Sequence, residues 1–191
     1  MFNKKIFSIR FHGYGGQGVK SMASILATSA IQNDMFAQAF PEFGPERRGA
    51  PVKAYARFSL NPILSRSSIK KPDLVVVMNE NLLNLDDVRE GTGVRTIFLV
   101  NTTLFPNELK QKYSLIPEYR LIHCINLPDR LIDFDNKVHP SIPVLGEIIK
   151  ITGIAPIEEV KLVLRQEFLK KIGEEKTKAT EKALEESYYN F

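Results

Sequence analysis

Residues 5–32 change period once. Ile6, Phe7, Ile9 and Phe11 are apolar or β-branched, the pattern of a buried strand. Val19, Met22, Ala23, Leu26, Ala27, Ala30 and Ile31 then recur at spacings of three and four, one face of a helix. Further on, 35–40 reads as a second strand, ended by Pro41. Residues 52–59 alternate Val52, Ala54, Ala56 and Phe58 with Lys53, Tyr55, Arg57 and Ser59, which predicts a strand with one exposed face. Pro62 marks a turn, and 63–67 is expected to return as a hairpin partner. The continuous apolar run Leu74-Val75-Val76-Val77-Met78 predicts a central parallel strand, and 95–100 and 121–127 supply two more. A helix is expected over 142–152, with Gly153 as its stop signal and Pro156 opening another that carries Val160, Val163, Leu164 and Phe168 on one stripe. From 174 to 189 charge dominates over a thin stripe of Ala179, Ala183, Leu184 and Tyr188. That segment reads as a docked or partner-facing C-terminal helix, or as a solvated tail.

Strands alternating with helices predict an α/β fold, three α/β/α layers around a mainly parallel, Rossmann-like sheet. A chain of 191 residues, 43% hydrophobic, is long enough to bury a sizeable core. One domain is therefore expected over 1–191, with its core at about 5–170 and a charged C-terminal helix or tail at 171–191.

Between the first strand and helix lies Gly13-Tyr14-Gly15-Gly16-Gln17-Gly18. Glycines let the backbone turn sharply and let another molecule approach it. The helix behind them offers unpaired N–H groups and a positive dipole end, a seat for phosphate or another anion. Gly13, Gly15 and Gly18 also fit G-x-G-x-x-G, whose dinucleotide reading wants an acid after the second strand, here Glu42. A third reading is a tight turn with no ligand. The segment 41–51 holds three prolines and two glycines around Glu46-Arg47-Arg48, so its shape is restricted. Two adjacent guanidiniums suit phosphate, carboxylate or a partner's acid, or else solvent. Asn79-Glu80-Asn81 follows the central strand, where open α/β sheets place ligand contacts and where asparagine also caps helices, and the strand at 95–100 ends at Asn101-Thr102-Thr103.

Charge sharpens this picture. Residues 1–71 carry eleven Lys or Arg against three acids, +8; residues 72–157 carry eight against eleven, −3; residues 158–191 carry seven against eight, −1. The net +4 thus comes from the third that holds the glycine segment, which suits an anionic ligand or acidic partner. Basic residues are not interleaved with stacking aromatics and no nucleic-acid motif accompanies them, so no nucleic-acid partner is expected. No run of 18 apolar residues and no secretory pattern occurs, so a cytoplasmic chain with no membrane partner is expected.

The single cysteine, Cys124, excludes an internal disulfide and a thiolate-bound iron–sulfur cluster held by this chain alone. It lies in the apolar run Leu121-Ile122-His123-Cys124-Ile125 and reads as a small buried hydrophobe. His12, His123 and His139 are scattered without metal-ligand spacing and are read as structural. No G-x-S-x-G, H-E-x-x-H or phosphate-loop lysine motif is present, so no catalytic residue and no metal site is assigned. A ligand turn without its own chemistry describes a binding subunit of a larger enzyme. A free-standing NAD(P)-dependent oxidoreductase and a stand-alone anion- or nucleotide-binding module are the alternatives.

Three segments together resemble the gamma subunit of pyruvate:ferredoxin oxidoreductase (pyruvate synthase), in the 2-oxoacid:ferredoxin oxidoreductase family. They are His12-Gly13-Tyr14-Gly15-Gly16-Gln17-Gly18; Gln38-Ala39-Phe40-Pro41 through Gly44-Pro45-Glu46-Arg47-Arg48-Gly49-Ala50-Pro51-Val52; and Pro72-Asp73-Leu74-Val75-Val76-Val77. Val144-Leu145-Gly146 through Ile151-Thr152-Gly153 fits the family's late helix. The resemblance spans roughly 6–170. It implies a holoenzyme that decarboxylates a 2-oxoacid, most simply pyruvate, on thiamine diphosphate, passes electrons through iron–sulfur clusters to ferredoxin, and releases acyl-CoA. Thiamine diphosphate and the clusters would belong to sister alpha, beta and delta-type subunits, and the gamma chain would help accommodate coenzyme A. Carried over, Gly13, Gly15, Gly16, Gln17 and Gly18 are the binding turn and Arg47 and Arg48 its basic companions. Tyr14 stands where the family commonly has arginine, and Ser141 and Glu147 where asparagine and alanine are usual.

Overall fold

The computed structural model describes residues 6–42, 50–115, 122–125 and 139–190. Its centre is a six-stranded sheet. Strand β1 (Phe7–Tyr14) pairs with β3 (Pro51–Ser59) antiparallel and with β4 (Leu74–Val77) parallel. Beyond β3 lies the edge strand β2 (Phe36–Pro41), and beyond β4 lie β5 (Ile97–Asn101) and β6 (Ile122–Ile125), giving the order β2-β3-β1-β4-β5-β6. The four strands β1, β4, β5 and β6 run parallel, and the β2–β3 hairpin is antiparallel to its neighbours.

The period-two alternation of β1 divides the molecule. Ile9 and Phe11 face one side, where α1 (Val19–Gln32), α4 (Ser141–Thr152) and α5 (Ile157–Asn190) complete a core with Ala54, Ala56, Phe58, Leu74 and Val76. Each fully buried Phe or Leu there, such as Phe11 or Leu26, contributes about 1.5–3 kcal/mol. Val75, Val77, Phe98 and Val100 face the opposite side. They meet the single turn Glu80–Asn84, α2 (Asp86–Arg89) and α3 (Pro106–Lys112) through Leu82, Leu83, Val88 and Leu109. The result is the expected three layers. Asn79 caps the turn at Glu80–Asn84 by accepting from the Asn81 N–H at 3.0 Å, so it serves as a cap.

Two details differ from the sequence expectation, and a third decides between two readings. Residues 63–67 form no strand. They lie over β2 and β3 as an irregular strap, held by Arg57, which donates to the Ser65 and Ser67 carbonyls, and by Gln38, which donates to the Ile63 carbonyl at 3.1 Å. Consequently the polar face of β3 is not exposed: Tyr55 and Arg57 are buried. The C-terminal segment is the docked helix and not the solvated tail. Helix α5 breaks at Gly173 (φ 82°, ψ 170°), and its two arms run back along each other. Arg165 meets Glu181 at 3.2 Å and Lys161 meets Glu185 at 2.5 Å, pairs centred on residue 173. The second arm packs on α4, where Ser187 donates to the Pro143 carbonyl at 2.6 Å.

Candidate functional site

The glycine turn leaves β1 at its carboxyl end and enters α1, as the change of period requires. Gly13 is buried, Gly16 is exposed, and Gly15, Gln17 and Gly18 are half-buried. Gly16 has φ 96° and Gly18, the N-cap of α1, has φ 75°. Both lie in the left-handed region that L side chains rarely adopt, so both positions call for glycine.

The turn is tied at several points. Gln17 reaches back so that its Oε1 accepts from the Tyr14 N–H at 2.7 Å, and its own N–H donates to the Tyr14 carbonyl at 3.0 Å. The Gly15 N–H donates to the Ala50 carbonyl at 2.9 Å. His139 bridges the turn to the start of α4: its Nε2 lies 2.7 Å from the Gly16 carbonyl and its Nδ1 2.8 Å from Ser141 Oγ. Gly18 abuts the same pair, since a Cβ there would sit 2.8 Å from Ser141 and 2.9 Å from the His139 ring. The N-termini of α1 and α4 therefore meet. The Gly16, Gly18 and Val19 N–H groups have no acceptor among the described residues, at the positive end of a 14-residue helix.

Of the residues read from sequence, Gly15, Gly16, Gln17 and Gly18 thus form one built turn, and Gly13 lies just before it in β1, paired with Val52. Arg47 and Arg48 fall in 43–49, outside the described residues, but both ends of that segment are fixed. At its far end Ala50 holds Gly15. At its near end the Glu42 N–H donates to the Lys53 carbonyl at 3.1 Å. The Glu42 carboxylate accepts from the Tyr55 hydroxyl at 2.6 Å and meets Lys53 at 3.3 Å, while Lys53 also meets Asp87 at 2.6 Å. Partial burial opposes the charge of Lys53, yet its bonds to Asp87 and Glu42 prevail and raise its pKa. Glu42 is thereby committed to protein partners. It also follows β2, two strands away from β1 at about 5 Å per strand. A ribose clamp belongs on the strand next to the glycine turn, and here that neighbour is the antiparallel β3 or β4. The dinucleotide geometry is not assembled.

His139, read from sequence as structural, ties the glycine turn to Ser141 at the start of α4, a contact that no local pattern announces. Gly16 and His139 are 123 positions apart, and what the sequence does show is a polar pair flanking a proline at a predicted helix start. Cys124 is half-buried, with burial pushing its thiol up to about 11, which leaves it a poor nucleophile. No group of three or more His, Cys, Asp or Glu among the described residues could hold a metal ion. Among the described residues no helix is long and apolar enough to cross a membrane.

Comparison with known proteins assigns the family. Residues 8–186 match the family described as pyruvate ferredoxin/flavodoxin oxidoreductase. The pyruvate synthase subunit PorC of Thermotoga maritima is 36% identical over 185 residues, covering 97% of this chain and 94% of that one. The common gamma subunit of the pyruvate/ketoisovalerate oxidoreductases of Thermococcus kodakarensis is 36% identical over 179 residues, covering 93% and 95%. The crystal structure of the Thermotoga maritima PorC subunit superimposes with a TM-score of 0.79 at 32% identity, covering 97% of this chain and 96% of that one. The chain belongs to the pyruvate ferredoxin/flavodoxin oxidoreductase family, as one of its gamma-type subunits.

Proposed function

We propose that this chain is the non-catalytic gamma subunit of a cytoplasmic pyruvate:ferredoxin oxidoreductase. It supports oxidative decarboxylation of pyruvate to acetyl-CoA with electrons passed to ferredoxin. It packs against alpha, beta and delta-type subunits that carry thiamine diphosphate and the iron–sulfur clusters. The chain's single half-buried thiol cannot ligate an iron–sulfur cluster. Residues 1–191 act as one unit in this reading, because Ala183 and Leu184 share a core with Ile9 and Phe11.

The same reading gives the glycine turn a ligand, a phosphate of coenzyme A, bound at Gly13, Gly15, Gly16, Gln17 and Gly18 with Arg47 and Arg48 as companions. The observation that carries it is the imbalance of the turn. The Gly16 and Tyr14 carbonyls have protein donors, while the Gly16, Gly18 and Val19 N–H groups lack acceptors among the described residues. A surface with its acceptors tied up and its donors open attracts an anion.

The test is Arg47→Ala and Arg48→Ala in the reconstituted complex. A charge-assisted contact is worth about 1.5–3 kcal/mol, so the KM for coenzyme A rises roughly ten- to hundredfold. The free subunit keeps its melting temperature within a few degrees. Normal assembly with a normal KM would remove both arginines from the site. Failed assembly would assign them to the subunit interface.

A further inference from the structure

Away from the glycine turn, a cavity of about 640 Å³ opens beyond the carboxyl end of β5 and along β6, the last strand of the sheet. Leu104, Phe105, Ile122, Ile125 and Ile151 give it apolar walls. Glu147, Lys150 and Ile151 line it at spacings of three and four, so one face of α4 is turned to it. Its volume is in the range of small-molecule sites, which combine apolar walls with a few placed polar groups.

Glu147 is such a group. It is 6% exposed, and its Oε1 is buried with no hydrogen-bond partner among the described residues. Lys150, one turn further on, is exposed and leaves that oxygen unpaired. Burial raises the Glu147 pKa, and the charge of Lys150 opposes the rise. A carboxyl this deeply buried is rare without a partner, and a cation that bonds it offsets the lost hydration. A second acceptor lies on β6. The Thr102 N–H donates to the Ile125 carbonyl at 2.9 Å, in a parallel pairing of β5 with β6. Carbonyls alternate in direction along a strand, so the Cys124 carbonyl points away from β5, to the edge that the cavity follows. An ammonium group brings three donors and a positive charge, which suit a carboxylate and a carbonyl. The walls suit an apolar body attached to it.

We propose that this cavity binds a small primary amine with an apolar body, its ammonium group paired with the Glu147 carboxylate and its body against Leu104, Ile122 and Ile151. The cavity shares no lining residue with the glycine turn, so the site does not depend on what that turn binds.

The test titrates benzylamine and benzyl alcohol into the full chain and follows amide NMR shifts. Benzylamine should move the amides of Leu104, Phe105, Cys124, Ile125 and Lys150. It should bind about tenfold more tightly than benzyl alcohol, which has the same ring without the charge. Glu147→Gln keeps the shape and removes the charge. It should weaken benzylamine roughly ten- to hundredfold and leave benzyl alcohol unchanged. Thr103 is exposed on the lining, and Thr103→Trp should occlude the cavity and weaken both compounds. Wild-type affinity for benzylamine in Glu147→Gln overturns the proposal. So does equal affinity of the wild type for the two compounds, or a benzylamine titration that leaves the cavity amides in place. Should Glu147→Gln not fold, the affinity ratio in the wild type and the loss of both compounds in Thr103→Trp decide instead. Undiminished benzylamine binding in Thr103→Trp would overturn the assignment to this cavity.

Discussion

His12 is the residue whose burial has the clearest measurable consequence. It is 3% exposed, next to the glycine turn, and its Nε2 has no hydrogen-bond partner among the described residues. Burial and the charge of Arg10 depress its pKa to about 3, with Lys53 adding to the depression and Asp87 opposing it. An unfolded histidine titrates near 6.5. Between those values the unfolded chain binds the extra proton, so stability falls as pH falls. From pH 7.5 to pH 5 this group alone removes about 2 kcal/mol. Urea unfolding at the two pH values should show that difference, and His12→Leu should flatten it. An equal pH dependence in the variant would mean that the histidine is protonated in the folded chain. Reading His12 as structural needed only its place in an apolar strand. That it sits beside Lys53 and Tyr55 of β3 followed from strand pairing, which no local pattern encodes.

At the scale of elements, legibility followed completeness of period. β1, α1, β4 and α4 carry full patterns over their lengths, and each lies within a residue or two of its expected bounds. The strap at 63–67 misled because Pro62 and a short apolar run resemble a hairpin. In fact Arg57 holds it through backbone carbonyls, a long-range contact of a buried guanidinium. The two arms of α5 were read as separate helices, and what the pattern did not mark is the turn between them. Gly173 sits in a charged stretch with no proline, and only its φ of 82° with ψ of 170° marks the turn. That conformation is essentially confined to glycine, so Gly173→Ala should cost about 1–3 kcal/mol. Gly146 tests the docking of the second arm. A Cβ there would lie 2.8 Å from the Leu184 carbonyl and 3.0 Å from Ser187. Alanine would favour the helix by about 1 kcal/mol, but overpacking against backbone costs about 1–3 kcal/mol. Gly146→Ala should therefore lower stability in denaturant titration. A stabilised variant would show that the arm yields freely and adds little to the core.

At the scale of the whole molecule, charge is uneven by sequence third. The +8 segment ends in Arg66, Lys70 and Lys71, all exposed on the connection between β3 and β4. The pairs Lys161–Glu185 and Arg165–Glu181 instead neutralise the C-terminal hairpin within itself. Exposed charges act mainly on the rate at which a subunit meets its partners. Screening shortens from about 10 Å at 0.1 M salt to about 3 Å at 1 M. Association of this chain with the remaining subunits should therefore slow several-fold between 50 and 500 mM salt, while dissociation changes little. Replacing Arg66, Lys70 and Lys71 with glutamate should reduce both the rate at low salt and its salt dependence. Replacing Lys170, Lys171 and Lys178 in the hairpin should do neither. Stopped-flow mixing of the subunits separates the two rates. If the hairpin variant, and not the Arg66, Lys70 and Lys71 variant, loses the salt dependence, the hairpin would be the surface that meets the partners. The basic third would then be left to the ligand alone.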